Sequence, residues 1–149
     1  MNYTILRATE EWQRAASYFV RINAMNRKYH IPLRDEFDCH DNDSSKYVIL
    51  LDDTYPISTV RFYEIDSSTA LIGRLVVLDE YRNKGLGKLT MLEAEKWIKE
   101  LGYKKIVIDS RIEVIDFYKK LGYKLTECGC SKCKTKTKTF ECTKMEKEI

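Results

Sequence analysis

An α+β fold, a mixed and mostly antiparallel twisted sheet flanked by helices, is what this sequence predicts, and three observations predict it. Three strand-like segments follow one another between residues 46 and 78 with only short turns between them, the mark of an antiparallel meander. An amphipathic segment then separates two runs rich in β-branched residues, Ala70 to Leu78 and Lys105 to Asp109, which is the spacing of a parallel step around a helix. Composition allows it, since 149 residues with 44% hydrophobic and 33% charged side chains make one domain, 1–149, with ordinary core material.

The elements follow in order. Tyr3-Thr4-Ile5-Leu6-Arg7 reads as a short strand. Thr9 stands where an N-cap belongs, and Trp12, Ala15, Ala16, Phe19, Ile22 and Met25 recur at helical spacing, so a helix is expected over about 10–28. Pro32 ends it, and the Asp-rich and Asn-rich stretch Arg34 to Asp43 is expected to be a loop or one short helical turn. Lys46 to Leu51 and Ile57 to Glu64 read as a hairpin around Asp52-Asp53, and Ala70 to Leu78 as a largely buried third strand. From Gly85 to Leu101 the period changes: Leu86, Leu89, Leu92, Trp97, Ile98 and Leu101 mark a helical face, with Gly102 placed to end it. Lys105 to Asp109 is a short strand, and Glu113 to Leu121 a helix closed by Gly122. Tyr123 to Glu127 and Phe140 to Glu146 are a last pair of strands around a connector rich in Lys, Thr and Cys.

Several function classes drop out. The longest unbroken apolar run, Tyr47 to Leu51, is far below the roughly 18 residues of a membrane span. The N-terminus has neither the basic nor the apolar region of a signal peptide, so a cytoplasmic protein with reduced thiols is expected. Lys and Arg exceed Asp and Glu by only 26 − 23 = 3, too little for a nucleic-acid binder, though it suits a small polyanion. Cys128, Cys130, Cys133 and Cys142 crowd the C-terminal stretch without the paired spacing of a zinc knuckle. They are read as free thiols; no metal ligand is assigned, and a structural zinc stays open.

The most informative segment is Arg82-Asn83-Lys84-Gly85-Leu86-Gly87-Lys88, between a buried strand and an amphipathic helix. Glycines there let the backbone turn so that several N–H groups converge at a helix N-terminus, an anion site that the flanking cations tune for phosphate. A Walker loop is excluded, because Arg82 and Leu89 stand where it needs Gly and Ser or Thr. A dinucleotide fingerprint is excluded by Thr90 at its third glycine.

Arg74-Leu75-Val76-Val77-Leu78-Asp79-Glu80-Tyr81-Arg82-Asn83-Lys84-Gly85-Leu86-Gly87 resembles the acyl-CoA motif of the GNAT superfamily of acetyl-CoA-dependent N-acetyltransferases, (Arg/Gln)-x-x-Gly-x-(Gly/Ala) after a strand. Downstream, Ile106 to Arg111 followed by Phe117-Tyr118-Lys119-Lys120-Leu121-Gly122-Tyr123 is similar to that family's next strand and helix end. The resemblance covers residues 3 to 127. His30 to Asp38 and Met145 to Glu148 are similar to a bacterial subgroup whose members mostly lack assigned substrates.

The resemblance implies a sheet whose central parallel strands splay, and acetyl-CoA as acyl donor. It implies a pantetheine arm bonded along Leu75, Val76 and Val77 like an added strand, and a pyrophosphate on the amides of Arg82, Asn83, Lys84, Gly85, Leu86 and Gly87 with charge from Arg82 and Lys88. Tyr118 matches the family tyrosine that protonates the departing thiolate. The general base departs from the pattern: Ala70 to Leu78 holds no carboxylate, only Arg74, which leaves Glu64, Glu36, Asp38 or a relayed water as candidates. Ser110-Arg111 stands where the family often has Asn, and Arg111 is read as a contact for phosphate or an acidic substrate group, or as a surface residue.

The expected function is acetyl transfer to a primary amine by direct attack, with Tyr118, Glu64 and Glu36 as the catalytic set. The alternative is an acyl-CoA-binding or ligand-sensing module of the same fold without turnover. The acids Glu36, Asp38, Asp41, Asp43 and Glu64 would favour a cationic small-molecule acceptor. Neither nucleic acid nor membrane is expected as partner, and a homodimer is left open.

Overall fold

The structure, a computed structural model, describes residues 2–134 and 139–149, with side chains described outside 127–140. Among them seven strands form one sheet in the order β1-β2-β3-β4-β5-β7-β6. The strands are β1 Tyr3–Arg7, β2 Lys46–Asp52, β3 Tyr55–Asp66, β4 Thr69–Val77, β5 Lys105–Arg111, β6 Lys124–Lys134 and β7 Thr139–Glu148. Every pairing is antiparallel except β4 with β5, where helix α4 Leu86–Glu100 makes the crossover. No helix among the described residues is long and apolar enough to cross a membrane.

Period-two alternation on β3 assigns the two faces. Ser58, Val60 and Phe62 face α4, where Val60 and Phe62 join Met91, Ala94 and Ile98 in the larger core. Thr59 and Arg61 face the other side, covered by α1 Glu11–Arg21 and the segment that follows it. A second cluster of Val20, Ala24, Leu50, Ile57, Leu78 and Leu86 closes the end of the sheet at which α4 begins.

The expected helix over 10–28 is broken by chemistry that periodicity does not report. Its cap is Glu10 rather than Thr9, because Gln13 Oε1 accepts from the amides of both Thr9 (2.7 Å) and Glu10 (2.9 Å). The buried face is Gln13, Ser17, Val20, Arg21 and Ala24, whereas Trp12 is exposed. Polar side chains take the inside because partners wait there: Ser17 Oγ lies 2.6 Å from Thr59 Oγ1, which in turn donates to Val48 O. After Arg21 the chain winds into a π-helical turn, Ile22–Asn26, then α2 Arg27–Tyr29, and stops at His30 in the left-handed region (φ 56°). The acidic stretch contains one short helix, α3 Leu33–Glu36.

Helix α4 likewise turns a different face inward. Leu86, Thr90, Met91, Ala94, Glu95 and Ile98 are buried, and Leu89, Leu92 and Leu101 are exposed. Glu95 is tolerated inside because Tyr123 Oη (2.7 Å) and Lys147 Nζ (3.1 Å) both donate to it. Helix α5 Ile115–Lys120 ends before Gly122, which has the positive φ of 96° that a helix stop requires.

Candidate active site

β4 and β5 are paired only from Thr69↔Lys105 to Ile72↔Ile108. Beyond Ile108, β5 stays with β7, pairing Asp109, Ser110 and Arg111 with Lys144, Thr143 and Cys142. β4 stays with β3, after a bulge in which Arg74 and Leu75 stand opposite Val60 alone. Arg74 takes φ 57° there, a left-handed conformation that L side chains rarely adopt. The two central parallel strands therefore part, and among the described residues the backbone of Gly73 to Val77 has no strand neighbour on its β5 side. A cleft of about 570 Å³ opens at the split.

One end of the cleft is the loop into α4. Arg82 donates its amide to Asp79 O and Leu89 donates to Gly85 O, and the amides of residues 85–88 belong to the turn that a helix leaves without intrahelical acceptors. Asn83 (φ 62°) and Gly85 (φ 77°) are both left-handed, which curls the chain so that these amides converge. Arg82, Asn83, Gly85, Leu86, Gly87 and Lys88 all line the cleft, together with Leu75, Val76 and Val77. Lys84 does not; its ammonium lies 5.4 Å from the Tyr81 ring centre. A buried hydroxyl pair fastens this end. Ser58 Oγ and Thr90 Oγ1 lie 2.8 Å apart, Ser58 also reaching Val76 O (3.1 Å) and Thr90 reaching Leu86 O (2.8 Å).

Tyr118 and Glu36 line the same cleft. Tyr118 sits on α5 with its ring edge-on to Phe117 and Tyr123, and burial pushes its phenol up to about 12. The Cys142 thiol, buried on β7, adds to that shift and lines the cleft beside it. Cys142 is thus a wall of the cleft, while the side chains of Cys128, Cys130 and Cys133 lie outside the described residues.

The acidic segment is neutralised from within. Glu36 meets Arg21 at 3.3 Å and Arg74 at 3.7 Å, and Asp38 meets Arg61 at 2.8 Å and Arg74 at 3.1 Å. Asp41 meets Arg21 at 2.7 Å and Arg61 at 3.0 Å, with Tyr47 Oη donating at 2.8 Å. Burial raises the Glu36 carboxyl, against the pull of both arginines. Burial acts on Asp41 too, yet Arg21 and Arg61 outweigh it and hold that carboxyl far below its usual range. Three carboxylates of the segment, Glu36, Asp38 and Asp41, thus face three guanidiniums, which weakens the negative field expected for a cationic acceptor, while Asp35 also lines the cleft.

Glu64 is not brought to this site. It pairs with Ala70, five residues before Leu75 and so roughly 16 Å along β4, and its carboxylate accepts from Tyr103 Oη at 2.8 Å. Arg21 is the residue that sequence reasoning missed. It lines the cleft although its side chain is only 1% exposed, and the signal for it was an arginine on the same helical face as Ser17, Val20 and Ala24.

Strand splay, anion loop and helix-borne tyrosine together define an acyltransferase architecture, and comparison with known proteins identifies it. The profile described as "Acetyltransferase (GNAT) family" matches residues 6–123, and the chain belongs to that family. It is 28% identical over 124 residues to the uncharacterized Bacillus subtilis protein YyaT, covering 82% of this chain and 83% of that one. It is 25% identical over 118 residues to the uncharacterized N-acetyltransferase YjcF of the same organism, covering 79% and 83%. Among solved structures, a protein from Lactobacillus plantarum described as a candidate N-acetyltransferase superposes with TM-score 0.87 at 25% identity, covering 100% of this chain and 99% of that one. The PaiA N-acetyltransferase of Thermoplasma acidophilum, solved in complex with coenzyme A, shares the fold at TM-score 0.71 and 19% identity over both full chains.

Proposed function

We propose that this chain transfers an acetyl group from acetyl-CoA to a primary amine by direct attack. The observation that carries the reading is that one cleft joins an unpaired strand edge, a helix start with unsatisfied amides, and a carboxyl and a phenol at its far end. The residues fit a CoA thioester. The edge of β4 over Leu75, Val76 and Val77, unpaired with β5, offers strand-like hydrogen bonds to a pantetheine arm, although Val76 O already accepts from Ser58 Oγ (3.1 Å) and Val77 O from Arg82 Nε (3.3 Å). The amides of residues 82–88, with Arg82 and Lys88, offer a seat for a pyrophosphate. A Cβ on Gly87 would stand 3.5 Å from Val77 Cγ2 and 3.7 Å from Phe117 Cζ, in the gap such a group needs.

Bound acetyl-CoA supplies the activated acyl group; the chain supplies the proton traffic. Glu36, made more basic by burial than an exposed glutamate, takes the proton of the acceptor ammonium. Tyr118 keeps its proton over the whole working pH range and delivers it, or a hydrogen bond, to the departing sulfur.

Melting the protein with and without acetyl-CoA tests the donor. Ligand at about 100 times Kd is worth roughly 2.7 kcal/mol, a visible upward shift, and a folded sample that shows none overturns the reading. A panel of amines, scored by CoA release, then tests turnover.

A further inference from the structure

We infer that Arg21, with Asp41 locked against it, is the positioning residue of the reaction: a clamp that holds Glu36 by its main chain and one carboxylate oxygen and leaves the other oxygen for the acceptor amine. The inference rests on the acetyl-transfer reading above and deepens it. A single guanidinium makes the grip. Its Nη2 donates to Glu36 O (3.0 Å) and its Nε to Glu36 Oε2 (3.3 Å), so the end of α3 and the side chain it carries are held together. Nη1 and Nη2 also take Asp41 Oδ1 (2.7 Å) and Oδ2 (3.1 Å), a two-point pairing that the ammonium of a lysine does not copy. The Phe37 and Tyr18 ring centres stand 4.9 and 5.8 Å from Arg21 Cζ, and Arg74 Nη2 adds a second bond to Glu36 O (3.3 Å). Glu36 Oε1 meets no hydrogen-bond donor among the described residues and, unlike the Nε atoms of Arg61 and Arg74, is not sealed from the cleft that Glu36 lines. It is the oxygen within reach of a ligand proton.

Asp41 explains why the grip does not spoil the base. A lone guanidinium at this distance would hold Glu36 equally well and weaken it as a proton acceptor, because an adjacent cation favours the charged carboxylate. Asp41, kept anionic by Arg21 and Arg61, offsets that charge. The Glu36 carboxyl is accordingly raised by burial and by Asp41, and lowered by Arg21 and Arg74, with a net upward result. Asp41 is fixed in turn from β2, β3 and its own loop, by Tyr47 Oη (2.8 Å), Arg61 Nη1 (3.0 Å) and the Asp38 amide (3.0 Å). The other charges around the cleft, Asp35 on α3, Asp38 between Arg61 and Arg74, and Asp109 and Arg111 on β5, are the same in every variant below and cancel in the comparison.

The test compares pH profiles of kcat/KM, for the best amine of the panel, in the wild type, Arg21→Lys and Asp41→Asn, each checked for a melting shift with acetyl-CoA. Arg21→Lys should lower kcat by about 10–100-fold with the KM for acetyl-CoA nearly unchanged, because the donor is held at the other end of the cleft. Asp41→Asn should move the acid limb to lower pH, since Arg21 and Arg61 then act on Glu36 without their shared counter-charge. A merely structural role would lower stability and leave the limb in place. An unmoved limb, a limb displaced upward, or an Arg21→Lys with wild-type kcat therefore overturns the inference. If the uncompensated buried charge keeps Asp41→Asn from folding, Arg21→Met combined with Asp41→Leu removes both charges at once, an exchange that buried pairs often tolerate. That double variant should still shift with acetyl-CoA and lose about 10–100-fold in kcat, and wild-type turnover in it overturns the clamp. A fully active Glu36→Gln marks a different failure, that of the base assignment, and a missing acetyl-CoA shift in the wild type that of the donor reading.

Discussion

Glu36 and Tyr118 share a cleft, and burial moves both upward, which has opposite consequences for the two. For the carboxyl it means that the proton-accepting form fills at a higher pH than in an exposed glutamate. For the phenol it means that the donating form persists to about 12. In wild type, kcat/KM should therefore rise with pH through a limb belonging to Glu36, and should not fall again below about pH 10 through Tyr118. Glu36→Gln should remove that limb and lower kcat/KM by about 10²–10⁴-fold, the remaining pH dependence being that of the acceptor ammonium. Tyr118→Phe, which keeps the ring, should lower kcat about 10–10³-fold with CoA affinity nearly unchanged; full turnover would assign the sulfur's proton to another donor. Asp41 works in the opposite direction. Its folded-state pKa lies below the ordinary 3.8, so its stabilisation is complete above that pH and is lost as pH falls below it. Asp41→Asn would leave Arg21, 1% exposed, without its nearest carboxylate, and a denaturant titration at neutral pH should show a loss of about 3–5 kcal/mol. None of this pairing was legible in the sequence, where the same acids read as an open charged loop. Their arginine partners lie 15 to 38 residues away, on α1, β3 and β4.

At the scale of elements, the start of α4 was the most legible part of the site, because its demands are local. Positive φ at Gly85 and the absence of a side chain at Gly87 are both requirements that a short motif states directly. Replacing Gly87 by Leu should leave the ligand-free melting temperature within a few degrees of wild type, since the helix gains a better helix former where it loses space. The same variant should show no acetyl-CoA shift, because its side chain would fill the gap between Val77 and Phe117. A retained shift would place the donor elsewhere. The inward faces of α1 and α4 were misread for one shared reason. Periodicity weighs residues by hydrophobicity, but Gln13, Ser17, Thr90 and Glu95 are buried by the hydrogen bonds waiting for them, so Trp12, Leu89 and Leu92 turn outward.

For the whole molecule, the meander and the parallel crossover were visible in turn residues and in the change of period, and they determine the strand order around the split. The width of the split was not visible, since it depends on β5 continuing with β7 while β4 continues with β3. The Ser58 and Thr90 hydroxyls, 2.8 Å apart, tie the meander, the open half of β4 and the start of α4 to one another. The cleft is in consequence a caliper. With the helix start as one jaw and Tyr118 as the other, an acyl donor is expected to be gauged by its length before its chemistry is sampled. S-acetylpantetheine offers the same thioester with nothing for the first jaw to grip, and its kcat/KM should be at least about 10²-fold below that of acetyl-CoA. Ser58→Ala, which loosens one jaw, should narrow that ratio, whereas equal use of both donors by the wild type would show that no gauge operates.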